Sequence, residues 1–325
     1  MISIVIPLYN EQENVDHLYD RLTKASPSWN DDYEIILVDD GSYDDTFEMV
    51  QSICARDAHI KCVKLSRNFG HQAAISAGMR YAKGDAVIIM DGDLQDPPEE
   101  LHRFLDKWRE GYHVVYAVRT KRKEGFFKKL AYSTFYRLLH VISDIDIPLD
   151  SGDFCVMDKR VVKVLNAEMV EQSRFVRGLR AYAGFKQVGV KYERSERAAG
   201  EVKYTFRKLL KLAIDGLLDF STFPLRIATY LGFMIAIPSF LIGLFFIVHR
   251  IFNFKIFGYS ASDTPGLATL AVGVFFLGGV IMVILGVIGE YIGRIYFEVK
   301  KRPCFYCRRN RIEKRQRTCL RNPCS

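Results

Sequence analysis

Two long stretches without a charged side chain set the outer limits on this fold. Ile227–Val248 spans 22 residues and Thr264–Gly289 spans 26. Each exceeds the roughly 20 residues an α-helix needs to cross a hydrocarbon core. Two such runs in succession are foreign to the core helices of soluble domains. Lys203, Arg207, Lys208, Lys211 and Arg226 precede the pair, and Arg294, Lys300, Lys301 and Arg302 follow it. The stretch between them holds only Arg250 and Lys255 as basic residues. This bias predicts a helical hairpin inserted from the cytoplasmic side, with both termini cytoplasmic. Ahead of it, Tyr204–Phe220 is amphipathic and basic at its start, the pattern of a helix lying on an anionic leaflet. Gly279, Gly286 and Gly293 recur every seven residues, and Gly289 with Gly293 forms G-x-x-x-G. Such small residues predict close packing against the first span, with a second copy of the chain as a secondary option.

The first two thirds read differently. Apolar strand-like runs fall near Ile2–Pro7, Glu34–Asp39, Ile60–Ser66, Ala86–Met90 and His113–Val118. Amphipathic stretches near Asn14–Lys24, Thr46–Arg56, Gln72–Lys83 and Pro98–Glu110 separate them. Strand-helix alternation predicts an α/β fold with a parallel, doubly wound sheet. The expected layout is a catalytic domain over 1–200, an interfacial segment over 201–226, two membrane helices over 227–298 and a basic tail over 299–325. The chain opens on a strand pattern with no basic leader, so no secretory signal is expected. Seven cysteines, an odd count in such a chain, argue against a disulfide framework. The 46 basic and 38 acidic residues give +8. Residues 300–325 hold ten basic residues and one glutamate, which leaves the rest near −1. The charge belongs to the tail and does not suggest a nucleic-acid partner.

The chemistry concentrates behind the strands. Asp91-Gly92-Asp93-Leu94-Gln95 follows the run Ala86–Met90, and open α/β sheets bind ligands at the carboxyl ends of their strands. An extended backbone would point Asp91 and Asp93 the same way. Paired hard oxygen donors suit Mg²⁺ or Mn²⁺, and such an ion suits a diphosphate. Pro7-Leu8-Tyr9-Asn10-Glu11 and Asp39-Asp40-Gly41-Ser42 end the first two strands on the same edge. Ser66–Gly70 ends the third, and the polar loop Ser151–Phe154 offers one more carboxylate, Asp153. Cys304-x-x-Cys307 with Cys319 and Cys324 admits a zinc site; a disordered basic tail on anionic lipid fits the Arg-rich spacing better.

The motifs V-I-P-x-Y-N-E, V-D-D-G-S, S-R-N-F-G-H-Q, D-G-D-L-Q-D-P-P-E, S-G-D-F and A-G-E-V-K-Y occur in this order. In that order they resemble family 2 glycosyltransferases, within them the polyprenyl-phosphate branch of bactoprenol glucosyltransferases and dolichyl-phosphate mannose synthases. The resemblance runs from about Ile2 to Pro303 and implies a GT-A type nucleotide-binding sheet flanked by helices. It implies inverting transfer of a single sugar from a nucleotide sugar, UDP-linked, to undecaprenyl (polyprenyl) phosphate at the cytoplasmic membrane, for cell-envelope glycans. Pro7, Tyr9, Glu11, Asp39, Asp40 and Asp91 would then hold the nucleotide. Asp91, Asp93 and Gln95 would hold the metal, and Asp93 and Asp153 would be catalytic. Arg119, Lys128, Arg197 and Lys203 would meet the acceptor phosphate. Further partners of such an enzyme are the bilayer, a second copy, a flippase or a downstream glycosyltransferase.

Three positions depart from the pattern. Cys155 stands where close relatives often have Arg, and His71-Gln72 replaces a Lys-Glu pair common in glucosyl-transferring relatives. A lone histidine is more often structural, so His71 is not counted in the site. Two other classes compete. A processive polysaccharide synthase resembles this fold but carries Q-x-x-R-W, and the only tryptophans here, Trp29 and Trp108, do not form it. A non-catalytic membrane scaffold would fit the charge-free spans but not the carboxylates gathered on the sheet's ligand edge.

Overall fold

The computed structural model describes residues 1–119, 151–172, 174–193, 223–252 and 266–307. They fall into two compact units, and the segment from Arg302 onward belongs with the first.

The first unit is built on a seven-stranded sheet of order β3-β2-β1-β4-β6-β5-β7. The strands are β1 (Ile2–Leu8), β2 (Tyr33–Asp39), β3 (Ile60–Lys64), β4 (Ala86–Ile89), β5 (Val114–Arg119), β6 (Ser151–Asp158) and β7 (Gln187–Tyr192). Between and after them lie α1 (Val15–Ala25), α2 (Thr46–Arg56), α3 (His71–Tyr81), α4 (Leu101–Arg109), α5 (Lys159–Ala167) and α6 (Val176–Tyr182). Strand β1 is buried along its whole length, which explains why it reads as an unbroken apolar run. Ile2, Ile4, Ile6 and Leu8 share the core with Val15, Leu18 and Leu22 of α1 and Phe104 of α4. On α1 those positions recur at helical spacing, so one face is apolar and the other solvated. Helix α3 lies close on the sheet: a Cβ at Gly78 would come within 2.2 Å of Val5 Cγ1. Only glycine permits that approach without repacking.

The expected all-parallel sheet is in fact mixed. Strand β6 runs antiparallel to both of its neighbours, β4 and β5. Its apolar part is only Phe154–Met157, too short beside Gly152 and Asp153 to stand out as a strand. Strand β7 pairs parallel with β5 at the sheet edge, and its alternating Gln-Val-Gly-Val-Lys-Tyr pattern carries little apolar signal.

The second unit contains two long helices, α7 (Phe223–Phe252) and α8 (Gly266–Val299). Among the described residues one helix, Phe276–Val299, is long and apolar enough to cross a membrane, and the apolar stretch Ile227–Leu241 is shorter. Helix α8 runs past the end of its charge-free stretch, where Glu290 and Arg294 pair at i,i+4. The glycine stripe does not pack as expected. A Cβ at Gly279, Gly286, Gly289 or Gly293 meets nothing within 4 Å, so α7 does not cover it among the described residues. The interfacial segment Tyr204–Phe220 lies outside the described residues.

The tail also differs from expectation where it is described. Residues 302–307 pack on the first unit, with an antiparallel bridge from Cys307 to Leu65. Cys319 and Cys324 lie outside the described residues.

Candidate active site

Parallel pairing of β1 with β2 and β4, and of β2 with β3, brings four strand ends to one edge. The antiparallel β6 meets that edge with its beginning rather than its end. This reversal is why Asp153, third residue of β6, stands near Asp91, just past β4.

At one side of the edge the loops behind β1, β2 and β3 are stitched together by hydrogen bonds. Asn10 donates its amide to Ser42 Oγ at 3.0 Å, and Tyr43 returns an amide bond to Asn10 Oδ1 at 3.0 Å. Asn10 takes a positive φ of 52° to make this turn. Asp39 is fully buried and accepts from the Ser42 amide at 3.2 Å, with Lys64 Nζ 3.9 Å from its other oxygen. Asp40 is 3% exposed and accepts from the amides of Phe69 and Gly70 at 2.8 and 2.9 Å. Burial raises the proton affinity of Asp40, the two amides oppose that, and Asp39 adds to it. Gly41 between these loops has φ 71°, and a Cβ there would lie 2.5 Å from the carbonyl carbon of Arg67. Pro7 is buried in β1, and the Tyr9 ring meets Tyr43 edge-on with centroids 6.4 Å apart. Glu11 turns inward to its own helix start, where its carboxylate accepts from Asn14 Nδ2 at 2.6 Å.

The other side of the edge is a charge cluster. His71, first residue of α3, places Nε2 3.5 Å from Asp91 Oδ1 and 3.6 Å from Asp153 Oδ2. Gln72 donates to Asp153 Oδ2 at 3.3 Å and accepts from the Val176 amide at 2.9 Å, tying β6 to the start of α6. Arg177 approaches Asp153 Oδ1 at 3.5 Å. Arg180 is 1% exposed, donates to the Gly152 carbonyl at 3.3 Å and faces the Tyr116 ring. Burial pushes the Asp153 carboxyl up, but Arg177, His71 and Arg180 together hold it well below the usual carboxylate range. Asp91 is pushed up to about 6, by burial first and then, against His71, by Asp96, Asp153 and Asp93. Burial disfavours the His71 cation, yet Asp153, Asp91 and Asp40 raise it to about 9. The cluster thus concentrates anionic charge on the sheet edge, with one imidazolium between its two innermost carboxylates.

Asp91 and Asp93 do not follow an extended path. The chain turns directly after β4: the Gln95 amide donates to Asp93 Oδ1 at 3.1 Å and Leu94 takes φ 60°. A Cβ at Gly92 would lie 2.3 Å from Leu8 Cδ2, so the turn is packed onto β1. Gln95 is half-buried on this turn, and the buried Asp96 after it accepts from Tyr192 Oη at 2.6 Å. Among the described residues no three His, Cys, Asp or Glu side chains form a ready-made metal cage. Asp91 and Asp93 fit an ion of the other type, held by one or two carboxylates and completed by phosphate oxygens and water. Burial is the first cause of the raised proton affinity of Asp91, and the carboxylates of Asp96, Asp153 and Asp93 add a smaller share that such an ion would relieve.

Arg119 ends β5, paired in register with Tyr192 of β7. Lys128, Arg197 and Lys203 lie outside the described residues. The structure adds His71, Gln72, Arg177 and Arg180 to the residues counted from sequence. The three-residue spacing of Arg174, Arg177 and Arg180 was the available signal. His71 and Gln72 stand out in the S-R-N-F-G-H-Q motif, but a lone histidine is more often structural, so the motif alone does not count His71 in the site. Cys155 is fully buried, and the Arg180 guanidinium of α6 lies beside its thiol.

Comparisons with known proteins give the family of the chain. Residues 3–165 match the family described as glycosyl transferase family 2. The chain is 46% identical over 304 residues to the uncharacterized glycosyltransferase YkcC of Bacillus subtilis, covering 93% of this chain and 92% of that protein. It is 38% identical over 303 residues to the bactoprenol glucosyl transferase of Shigella phage SfX, covering 93% and 97%. Among solved structures, glucosyl-3-phosphoglycerate synthase from Mycobacterium tuberculosis is 21% identical with a TM-score of 0.44, covering 67% of this chain and 79% of that one. With its family match across half the chain and its near full-length relatives, this protein belongs to glycosyl transferase family 2 and is a glycosyltransferase.

Proposed function

We propose that the protein transfers a single sugar, with inversion, from a UDP-linked donor to undecaprenyl (polyprenyl) phosphate at the cytoplasmic face of the membrane. The product would serve modification of cell-envelope glycans. The observation that carries this reading is the double character of the sheet edge: a stitched corner around Asp39 and Asp40 beside an anionic cluster around Asp91 and Asp153. The near full-length likeness to a bactoprenol glucosyl transferase supports the lipid acceptor.

In this reading Asp39, Asp40 and Tyr9 hold the nucleotide, with Pro7 and Glu11 shaping the loop. Asp91, Asp93 and Gln95 would hold Mg²⁺ or Mn²⁺, which when bound offsets charge on the departing nucleoside diphosphate. The anomeric C–O bond to the diphosphate breaks as an acceptor phosphate oxygen bonds the opposite face of that carbon. A phosphomonoester has its second pKa near about 6, so this oxygen is already largely ionised at neutral pH. A strong general base is therefore unnecessary, and the ionised, doubly Arg-flanked Asp153 suits orientation better than proton abstraction. Arg119, Lys128, Arg197 and Lys203 would neutralise the acceptor, whose repulsion from the donor would otherwise raise the barrier. Helices α7 and α8 would form a two-crossing hairpin with both termini cytoplasmic.

The test is a panel of nucleotide sugars with undecaprenyl phosphate and the purified full chain. The expected outcome is metal-dependent release of nucleoside diphosphate and a lipid carrying one sugar. A polymer, or no lipid product from any donor, overturns the proposal.

A further inference from the structure

Five of the six residues that follow α8 and its terminal turn contact the first unit. Gln172 donates through its side chain to the Arg302 carbonyl, and Cys304 Sγ lies 3.5 Å from the Glu171 carbonyl oxygen. Phe305 is 9% exposed, with the Arg80 guanidinium 4.9 Å from its ring. The Tyr306 carbonyl accepts from the Ser66 amide at 2.8 Å, and the Tyr306 ring meets Phe69 with centroids 6.3 Å apart. Cys307 bridges Leu65 and lies 3.2 Å from Tyr81 Oη.

These contacts fall in a telling place. Strand β3 is an edge strand, and an exposed edge is commonly covered along its length. Here the segment contacts Leu65 and Ser66 just past the end of β3, the loop behind them and the far end of α3. That loop donates the Phe69 and Gly70 amides to the Asp40 carboxylate. It also passes so close to Gly41 that a methyl group there would strike Arg67. The position of the Ser66–Gly70 loop therefore decides where the Asp40 carboxylate sits. From the opposite side, the loop is fixed by Tyr306 through one backbone bond and one ring contact.

We propose that Arg302–Cys307 is a positioning strap for the nucleotide pocket: it clamps the Ser66–Gly70 loop and so sets Asp40 for binding. Its residues touch no reacting atom, and they act through Ser66 and Phe69. The proposal rests on the nucleotide role assigned to Asp40 above. It makes the sugar donor's affinity depend on a segment attached directly to the apolar helix α8.

Two truncations and one substitution, each in the otherwise complete chain, test it. Ending the chain after Cys307 removes the rest of the basic tail and keeps the strap. Ending it after Arg302 removes all of the strap but its first residue, and Phe305→Ala loosens it. Amide hydrogen exchange at Phe69 and Gly70 reads the loop, and calorimetric titration with UDP reads the pocket. The chain ending at Cys307 should match the full chain in both. The chain ending at Arg302 and Phe305→Ala should lose protection at Phe69 and Gly70 and bind UDP about tenfold more weakly, on the scale of one hydrogen bond to a charged group. Turnover at saturating donor should change far less than the donor KM. Unchanged exchange and UDP affinity in the strap variants overturns the proposal, as does an equal loss in the chain ending at Cys307. Should the shorter chain fail to fold, Phe305→Ala decides alone. A full chain that binds no UDP refutes the nucleotide assignment, while the exchange result still decides the strap.

Discussion

Asp153→Asn separates what holds the acidic cluster together from what the cluster does. The amide keeps the shape of the carboxylate and removes its charge, leaving Arg177 at 3.5 Å and the buried Arg180 without their anion. Removing one member of a buried ion pair costs roughly 3–5 kcal/mol. Asp153 and Arg177 keep 17% and 23% of their side-chain surface, so partial screening places the loss at the low end, about 3 kcal/mol. In a domain of this size that lowers Tm by about 6–12 °C. Both tryptophans, Trp29 and Trp108, lie in the first unit, so their fluorescence reports its unfolding and not that of the apolar helices. Asp153→Asn combined with Arg177→Gln should recover about 1–2 kcal/mol, because neighbouring charges couple on that scale. Sugar transfer should stay low in the double variant, since the repair restores neutrality and not the carboxylate. A single variant as stable as the wild type, or a double variant destabilised by the sum of both changes, refutes the ion-pair account.

Gly41→Ala should destabilise the first unit by about 3 kcal/mol, from the left-handed backbone and the clash with Arg67 together, and wild-type denaturation would contradict this. Protonated His71 stabilises the ligand-free fold because its pKa rises from 6.5 to about 9. That contribution is full below about 6.5 and is lost as pH rises through about 9, so Tm should fall across this window. His71→Gln should flatten the fall, and equal slopes in both proteins would refute it. Asp93→Ala should abolish transfer while costing only about 0.5–1.5 kcal/mol of stability, the scale of the lost Gln95 amide bond. Near-wild-type turnover in that variant would remove Asp93 from the metal assignment.

The parallel half of the sheet was legible because β1, β2 and β4 are buried on both faces and read as apolar runs with carboxylates behind them. The helices between them were legible for the complementary reason, one apolar stripe per helix. Strand β6 was not, because burial of Phe154–Met157 depends on β4 and β5 flanking it, and no local pattern records those neighbours. Its direction mattered most for the site, since it carries Asp153 to the edge by its beginning. Asp91 was legible as a strand-end carboxylate, but the turn that redirects Asp93 depends on Leu94 adopting a positive φ, which its identity does not suggest. His71 and Arg180 are invisible as site residues until α3 and α6 are placed, since each acquires its role from charges distant in sequence. The docking of Phe305 and Tyr306 was hidden for the same reason: their partners, Arg80 and the Ser66–Gly70 loop, lie more than two hundred residues upstream.

The bridge between Leu65 and Cys307 has a bearing on biogenesis. Tyr81 and Cys307, which meet at the same place, are separated by 226 residues. At synthesis rates of about 5–20 residues per second, roughly 11–45 s pass between making one and making the other. During that interval the ribosome delivers β4 to β7 and both apolar helices. The first unit therefore cannot close its last backbone contact until α8 has been translated. A chain interrupted before that point would hold most of its sheet and lack the clamp on its third strand. Completion of the first unit is in this way a late event of translation, timed by the arrival of α8.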